Sequence, residues 1–402
     1  MISLAEAAGY TIVGTIKQIR HADSSYQIGK GKATELAALV QDVKAEKLLF
    51  DNDLKPIQAY NIAKLTGIEA IDRFQLILEI FIKRASTREA RLQIQLARVR
   101  HQLPRARESI RLARMGEQPG FLGLGKYEID VYLESIKRQI VHLRKELQTI
   151  RKRRRLQRSQ RLNSGFSIIS LAGYTFAGKT SLFNILTKEA KPIDQGLFTT
   201  LSTTTRVAAF RKRKVLITDT VGFIDRIPLT LIDAFHSTLE ETVLSDVIIL
   251  VVDVAEPLNE VQRKLSCCID TLNDIGAFGI PIVTALNKID RLQDKEAQER
   301  ITYLGSLAPN PVPISARASI NIQQLKEKVE ECLGDQIEAS FMLPINNETA
   351  SLISKLHRQA HVVNTNYSGD EVKITIQALP WYMNKVYGKI TKNGGRLLKA
   401  TQ

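Results

Sequence analysis

The spacing of apolar positions changes character along the chain. Up to residue 84, short apolar runs alternate with helically spaced ones. Tyr10–Ile19 reads as a strand, Ala33–Val43 as a helix and Lys47–Phe50 as a short strand. Ile57–Thr66 is a helix with Pro56 where a first turn tolerates it, and Ile68–Ile71 is a further strand. This alternation predicts a small, partly parallel α/β unit over 1–84. From 85 to 163 the period becomes that of long helices. Leu92, Leu96, Val99, Leu103, Ala106 and Ile110 step by fours and threes, as do Ile129, Leu133, Ile136, Ile140, Leu143, Leu147 and Ile150. Two such seams around the glycine-rich Gly116–Gly125 predict an antiparallel helical hairpin, with Pro104 expected to kink its first helix. Two ordinary helices packed on a neighbouring domain would give the same pattern.

Buried-strand runs then dominate 164–334: Phe166–Leu171, Lys214–Thr218, Val247–Val254, Ile282–Leu286 and Val312–Ile314. They predict a mostly parallel sheet with helices on both faces. The last segment, 335–402, reads as strand, helix, two strands and a helix (Ala339–Leu343, Thr349–His357, Val362–Tyr367, Glu371–Leu379, Trp381–Ile390). That order suggests a small α+β domain of ferredoxin-like type. The expected fold is α/β: a P-loop domain preceded by the small unit and the hairpin, and followed by the α+β domain.

The first strand of the 164–334 segment runs straight into Gly173-Tyr174-Thr175-Phe176-Ala177-Gly178-Lys179-Thr180-Ser181, a G-x-x-x-x-G-K-[ST] loop between strand and helix. Gly173 and Gly178 allow the backbone to turn successive N–H groups toward phosphates. Lys179 is placed for the β- and γ-phosphates and the Thr180 hydroxyl for Mg²⁺, at the positive end of a helix dipole. The strand Lys214–Thr218 ends in Asp219-Thr220-Val221-Gly222. Asp219 can hold Mg²⁺ through its water shell, and Gly222 can offer its N–H to the γ-phosphate.

Ile282–Leu286 leads into Asn287-Lys288-Ile289-Asp290, and Val312–Ile314 into Ser315-Ala316-Arg317. A carboxylate at Asp290 accepts both the ring N–H and the amino group of guanine, a pair adenine lacks. Asn287 and Lys288 brace the loops and cover the base, and backbone N–H groups of 315–317 can donate to guanine O6. Asp290 alone would read as a helix cap; in this order of motifs it selects guanine, so GTP and GDP are the expected ligands and Mg²⁺ the cofactor.

Between the phosphate loop and Asp219 lies Gly196–Arg206, containing Phe198, Thr199, Thr200, Leu201 and Ser202. A loop that senses the γ-phosphate needs a hydroxyl joining the Mg²⁺ shell only in the triphosphate state. Thr200 is the choice, with Thr199, Thr203, Thr204 and Thr205 as chemical alternatives. The expected catalytic set is Lys179, Thr200 and Gly222, and the metal set Thr180, Thr200 and Asp219. The residue after Gly222, where a catalytic Gln would orient water, is Phe223, which neither donates nor accepts a hydrogen bond. Slow intrinsic hydrolysis is therefore expected, with the missing group supplied elsewhere in the chain, by the substrate or by a partner.

The net charge of +15 over 402 residues changes the picture of partners. A polyanion, nucleic acid or an anionic membrane face, is one reading of such an excess, and a merely basic soluble protein the other. Much of it falls on the second long helix. Lys137, Arg138, Arg144, Lys145, Arg151, Lys152, Arg153, Arg154, Arg155, Arg158 and Arg161 face only Glu134 and Glu146 over that stretch, as a phosphate-tracking surface requires. Cys267, Cys268, Cys332 and the six histidines show no disulfide or metal-ligand spacing. No apolar run reaches the ~18 residues that cross a bilayer, and the first twenty residues lack signal-peptide features, so a cytoplasmic monomer is expected.

GYTFAGKTSLFN, LFTTLSTTTR, DTVGFIDRIPLTLIDAFHSTLEE and NKID together resemble the HflX family of translational GTPases. The resemblance continues outside that segment, through IGKGKATEL, FDNDLKPIQAYNI, IDRFQLILEIFIKRASTREARLQIQLARVRHQLPR and GFLGLGKYEID, and is nearer to archaeal members. The family's F-[AT]-T-L threonine falls on Thr200. The resemblance implies binding to the large ribosomal subunit and its RNA, with the glycine loop directed into the subunit and the ribosome as the partner that completes catalysis. The competing readings are a GTP-switched RNA-binding factor of ribosome assembly or RNA modification, and a membrane-associated regulatory GTPase; the latter lacks an amphipathic anchor.

Overall fold

A computed structural model describes residues 1–85, 87–114, 126–162, 165–189, 204–210, 213–220, 222–223 and 241–401. They fall into two compact units, one ending at Ile150 and the other beginning at Arg151.

In the first unit, α1 (Ile2–Ala7) and α2 (Lys30–Val43) precede β1 (Leu48–Phe50), α3 (Pro56–Thr66), β2 (Ala70–Asp72) and α4 (Arg73–Arg84). β1 and β2 form a two-stranded parallel sheet, Leu48 opposite Ala70, as the small α/β reading requires. Leu36, Val40, Leu48, Leu54, Ile62 and Ala70 make its core. One expectation fails here. Tyr10–Ile19 forms no strand: Val13 and Ile19 are exposed, and the segment is held by Ile16 against the core and by the Gln18 amide, which accepts from the Gly29 N–H at 2.9 Å. Alternating apolar residues make a strand only where an edge is there to pair with, and none takes this segment among the described residues. Gly29 is the N-cap of α2.

The long helices follow as α5 (Arg88–Arg114) and α6 (Lys126–Leu162). Val99, Ile136, Ile140 and Leu143 form a cluster with Leu92, Leu96 and Leu103 against it, so the described part of both seams meets in one interface. Arg88 pairs with Glu146 at 3.0 Å, which fixes the antiparallel sense. The side chains of Ala106, Ile110 and Ile129, and the segment Gly116–Gly125, lie outside the described residues. α5 runs through Pro104 without a break. Its opposite face is also buried, at Ala90, Ile94 and Ala97, and it contacts α3 and α4, so the hairpin is not free-standing. Phe74 of α4 stacks on His101 at 4.3 Å.

The second unit holds a six-stranded sheet in the order β4-β5-β3-β6-β7-β8: β3 (Ser167–Gly173), β4 (Thr204–Ala209), β5 (Lys214–Asp219), β6 (Val247–Asp253), β7 (Ile282–Asn287) and β8 (Pro311–Pro313). All pairs are parallel except β4 with β5. Buried on both faces, β6 reads as an unbroken apolar run, VIILVV. The helices are α7 (Lys179–Thr187), α8 (Leu258–Asp274), α9 (Asp294–Gly305) and α10 (Ile322–Cys332). Beyond them β9 (Ile337–Pro344), α11 (Asn347–Gln359), β10 (His361–Ser368), β11 (Glu371–Ala378), α12 (Pro380–Lys392) and β12 (Arg396–Thr401) build an antiparallel sheet in the order β10-β11-β9-β12. With the unanticipated β12 this is βαββαβ, the ferredoxin-like arrangement. Within this unit the Gly165 N–H donates to the Gln359 carbonyl at 2.6 Å, and a Cβ on Gly165 would lie 2.7 Å from the Tyr382 ring.

Candidate functional site

The parallel register sets the carboxyl ends of β3, β5, β6 and β7 side by side, Leu171 opposite Asp219, Gly173 opposite Val251 and Asp253 opposite Asn287. In open α/β sheets that edge is where ligands bind. The phosphate loop leaves it at Gly173, whose φ of +144° and approach to the Val251 carbonyl (2.3 Å from a built Cβ) admit no side chain. Gly178 closes the loop at φ +98°, and a Cβ there would meet Asn287 Nδ2 at 2.3 Å. Phe176 also takes a positive φ, +65°, uncommon for a bulky residue, and its ring is exposed.

Lys179, the first residue of α7, is buried, and its ammonium donates to the carbonyls of Gly173 (3.0 Å) and Tyr174 (2.8 Å). Burial pushes its pKa down to about 8, against the pull of the Asp219 carboxylate. Thr180 follows it and is buried, Ser181 is half-buried, and Asp219, fully buried, ends β5. The Thr220 hydroxyl donates to the Leu171 carbonyl at 2.6 Å. A Cβ on Gly222 would stand 3.0 Å from Lys179 Nζ and 2.8 Å from Thr175 Cγ2, so a glycine is needed where the two loops meet. Phe223 seals that meeting: its N–H donates to the Gly173 carbonyl (3.0 Å), its carbonyl accepts from the Thr175 N–H (2.9 Å), and its ring is buried.

The base end is tied by one amide. Asn287 Nδ2 donates to the Ala177 carbonyl at 2.7 Å, and its Oδ1 accepts from the Ala316 N–H at 2.9 Å. A guanine O6 would therefore share the Ala316 donor. Lys288, at φ +71°, pairs with Asp253 at 2.6 Å. The Ile289 N–H donates to the Ile314 carbonyl, Asp290 is exposed in a short 3₁₀ turn, and Ser315 is buried with its Oγ accepting from the Ala318 N–H. Arg317 is exposed. Sequence reasoning passed over Asp253, because its pairing with Lys288 follows from strand register rather than from any local pattern. It likewise missed Lys264, whose ammonium sits 4.7 Å from the Tyr174 ring centre.

Phe198, Thr199, Thr200, Leu201, Ser202 and Val221 lie outside the described residues. Of the alternatives to Thr200, Thr205 is a β4 residue whose hydroxyl bonds that of Thr218 at 3.0 Å, and Thr204 pairs in register with Asp219. Among the described residues no three His, Cys, Asp or Glu side chains come together as a metal cage. A hydroxyl and a carboxylate beside a glycine-lined cradle are what Mg²⁺ carried with a phosphate chain uses, since it keeps waters and takes few protein ligands. The residues present fit it.

Family models match in three consecutive stretches: "GTP-binding GTPase N-terminal" over 1–82, "GTP-binding GTPase Middle Region" over 84–161 and "50S ribosome-binding GTPase" over 168–288. A GTPase HflX of Thermofilum pendens is 45% identical over 341 residues, 85% of this chain and 80% of that protein. A GTPase HflX of Methanocaldococcus jannaschii is 41% identical over 377 residues, 94% of this chain and 92% of its own length. A solved GTP-binding protein of Sulfolobus solfataricus in complex with GDP is 30% identical, covers 82% of this chain and 93% of its own, and superposes with a TM-score of 0.44.

Proposed function

The chain belongs to the HflX family of GTPases, and from that membership we propose that it hydrolyses GTP in association with the large ribosomal subunit, in ribosome function or recycling. The nucleotide half of the reading is supported by the Asn287 amide, which joins the phosphate loop to the 315–317 loop, as a site holding both ends of one guanine nucleotide would need. Lys179 meets the β- and γ-phosphates, and the backbone from Gly173 to Ser181 wraps them. Thr180, Asp219 and Thr200 would hold Mg²⁺, which would supply neutralisation of the phosphate charge. Gly222, beside Thr220 and Val221, donates to the γ-phosphate, and the stretch Phe198–Ser202 belongs to the nucleotide-binding set with Thr200 as its γ-phosphate-sensing hydroxyl. Asp290 reads guanine, with Lys288 covering the base and Ile289 beside it in the same turn. Phe223, buried and committed through its backbone to the phosphate loop, orients no water, so turnover is slow until a partner completes the site.

The ribosomal half is carried by α6, where Lys137, Arg138, Arg144, Lys145 and Lys152 are all exposed. Such a face tracks RNA phosphates, and the Gly116–Gly125 loop at its head enters the subunit. Four domains suit this division of labour: 1–84, the hairpin 85–163, the GTPase domain 164–334 and the α+β domain 335–402. The protein acts as a cytoplasmic monomer; no described helix is long and apolar enough to cross a membrane. Co-sedimentation with purified large subunits, beside flotation with anionic liposomes, tests the partner. Sedimentation that weakens with salt is expected. Flotation without sedimentation would put the basic helix on lipid instead.

A further inference from the structure

Helix α12 carries a face that GTP hydrolysis does not use. Its inward residues Tyr382, Met383, Val386 and Ile390 are buried in the core of the βαββαβ sheet. Trp381, Lys385 and Lys389 follow at intervals of four and so lie along one line of the helix, with Lys392 beyond them; Trp381, Lys385 and Lys392 are exposed and Lys389 is half-buried. Trp381 is 45% exposed. The Trp381 ring meets that of Tyr382 edge-on at 5.5 Å and still leaves nearly half of the residue open beside the lysine row.

The charges are one-sided. α12 contains no Asp or Glu. α11 adds Lys355, and its single acid, Glu348, stands about two turns away along the helix. Lys355 and Lys385 are near enough to Lys389 that, after burial, their charges hold its ammonium below the usual lysine range. Like charges gathered on two neighbouring helices repel one another, and a polyanion is what relieves that repulsion.

We propose that this face of the C-terminal domain is an RNA-binding surface, on which Lys355, Lys385, Lys389 and Lys392 meet successive phosphates of a single-stranded segment and Trp381 stacks on one of its bases. Stacking is tolerant of base identity, and lysines read the backbone alone, so the surface selects an unpaired strand rather than a sequence. A lipid face is the poorer match. A helix that lies on a membrane inserts its apolar side, and that side of α12 is already buried within its own domain. The inference extends the ribosomal reading with a second RNA contact but stands apart from it, because it concerns neither the hairpin nor the nucleotide.

Trp381 is the chain's single tryptophan, so its fluorescence reports this surface alone. The experiment titrates the full chain with a short oligouridylate and, separately, with phosphatidylserine vesicles. RNA is expected to quench Trp381 saturably, with an affinity that falls as salt rises. The triple variant Lys385→Gln, Lys389→Gln, Lys392→Gln should bind about ten-fold or more weakly and lower the log–log salt slope by about 2, at roughly 0.7 per phosphate for single strands. These lysines are not core residues, so the variant should fold. Replacing Arg151, Lys152, Arg153, Arg154 and Arg155 with Gln should leave the quench unchanged, even where it abolishes co-sedimentation with subunits. No quench by RNA, quenching by vesicles alone, or an unaltered slope in the triple variant would overturn the proposal without touching the ribosomal one.

Discussion

Replacing Asn287 with Ala removes an amide that is 2% exposed and bonded at both ends to buried backbone, the Ala177 carbonyl at 2.7 Å and the Ala316 N–H at 2.9 Å. Alanine leaves both groups without partners. Each such loss costs about 1–3 kcal/mol, and part of it relaxes as the two loops drift apart, so a net loss of about 2–5 kcal/mol is expected. The loops that lose register are the phosphate loop and the base loop together, so GTP and GDP affinities should fall by the same factor while guanine remains preferred over adenine. Asp290 is the contrasting case, exposed in its turn. Asp290→Asn should leave stability within about 0.5 kcal/mol and move preference toward xanthine nucleotides, whose ring presents the complementary pattern. The assay is urea unfolding of the nucleotide-free protein, followed on the transition that GDP shifts, with displacement titrations using GTP, ATP and xanthosine triphosphate. If Asn287→Ala keeps full stability yet loses discrimination against ATP, Asn287 reads the base and the bracing argument is wrong.

Lys179 gives a pH signature. With its pKa held at about 8 in the folded, nucleotide-free state, GTP affinity should drop about ten-fold from about pH 7 to about pH 9, because the neutral amine must first take up a proton. Over the interval from about 8 to the ordinary lysine value near 10.4, the unfolded chain binds more protons, so the empty protein should gain stability as pH rises, by about 3 kcal/mol at most. A flat affinity profile across that range would show the ammonium is not buried as described. Phe223→Gln should fail to speed hydrolysis and should destabilise by about 1–3 kcal/mol, since the side chain it replaces is buried and an amide there lacks partners. Faster single-turnover hydrolysis in that variant would mean position 223 does face the water.

Much of the site was legible because its chemistry is local. The loop from Gly173 to Thr180 and the turn from Asn287 to Asp290 each carry their geometry in a few consecutive residues, and their order along the chain fixes the sheet edge they share. What the sequence hid is relational. Asp253 is an ordinary strand-end carboxylate until register sets it opposite Asn287 and within reach of Lys288. Tyr10–Ile19 alternates like a strand, but alternation speaks of faces, not of the presence of an edge. Helix α4 was missed although Asp72 and Gln75 cap it reciprocally, the Gln75 N–H donating to Asp72 Oδ1 at 2.9 Å and the Asp72 N–H to Gln75 Oε1 at 3.3 Å. Its apolar run, with Phe74, Leu76, Ile77, Leu78, Ile80 and Phe81 buried, is too continuous to show a helical stripe. β12 is short and exposed, and only its pairing with β9 identifies it.

The measurement that bears most directly on the whole account is GTP turnover with and without purified large subunits across a salt series. Slow hydrolysis alone, raised by subunits, with the stimulation fading as salt increases and lost when Arg151, Lys152, Arg153, Arg154 and Arg155 become Gln, is the predicted result. Equal turnover in the presence and absence of subunits, together with unchanged sedimentation of the charge-neutralised variant, would contradict the ribosomal assignment and leave only the GTPase.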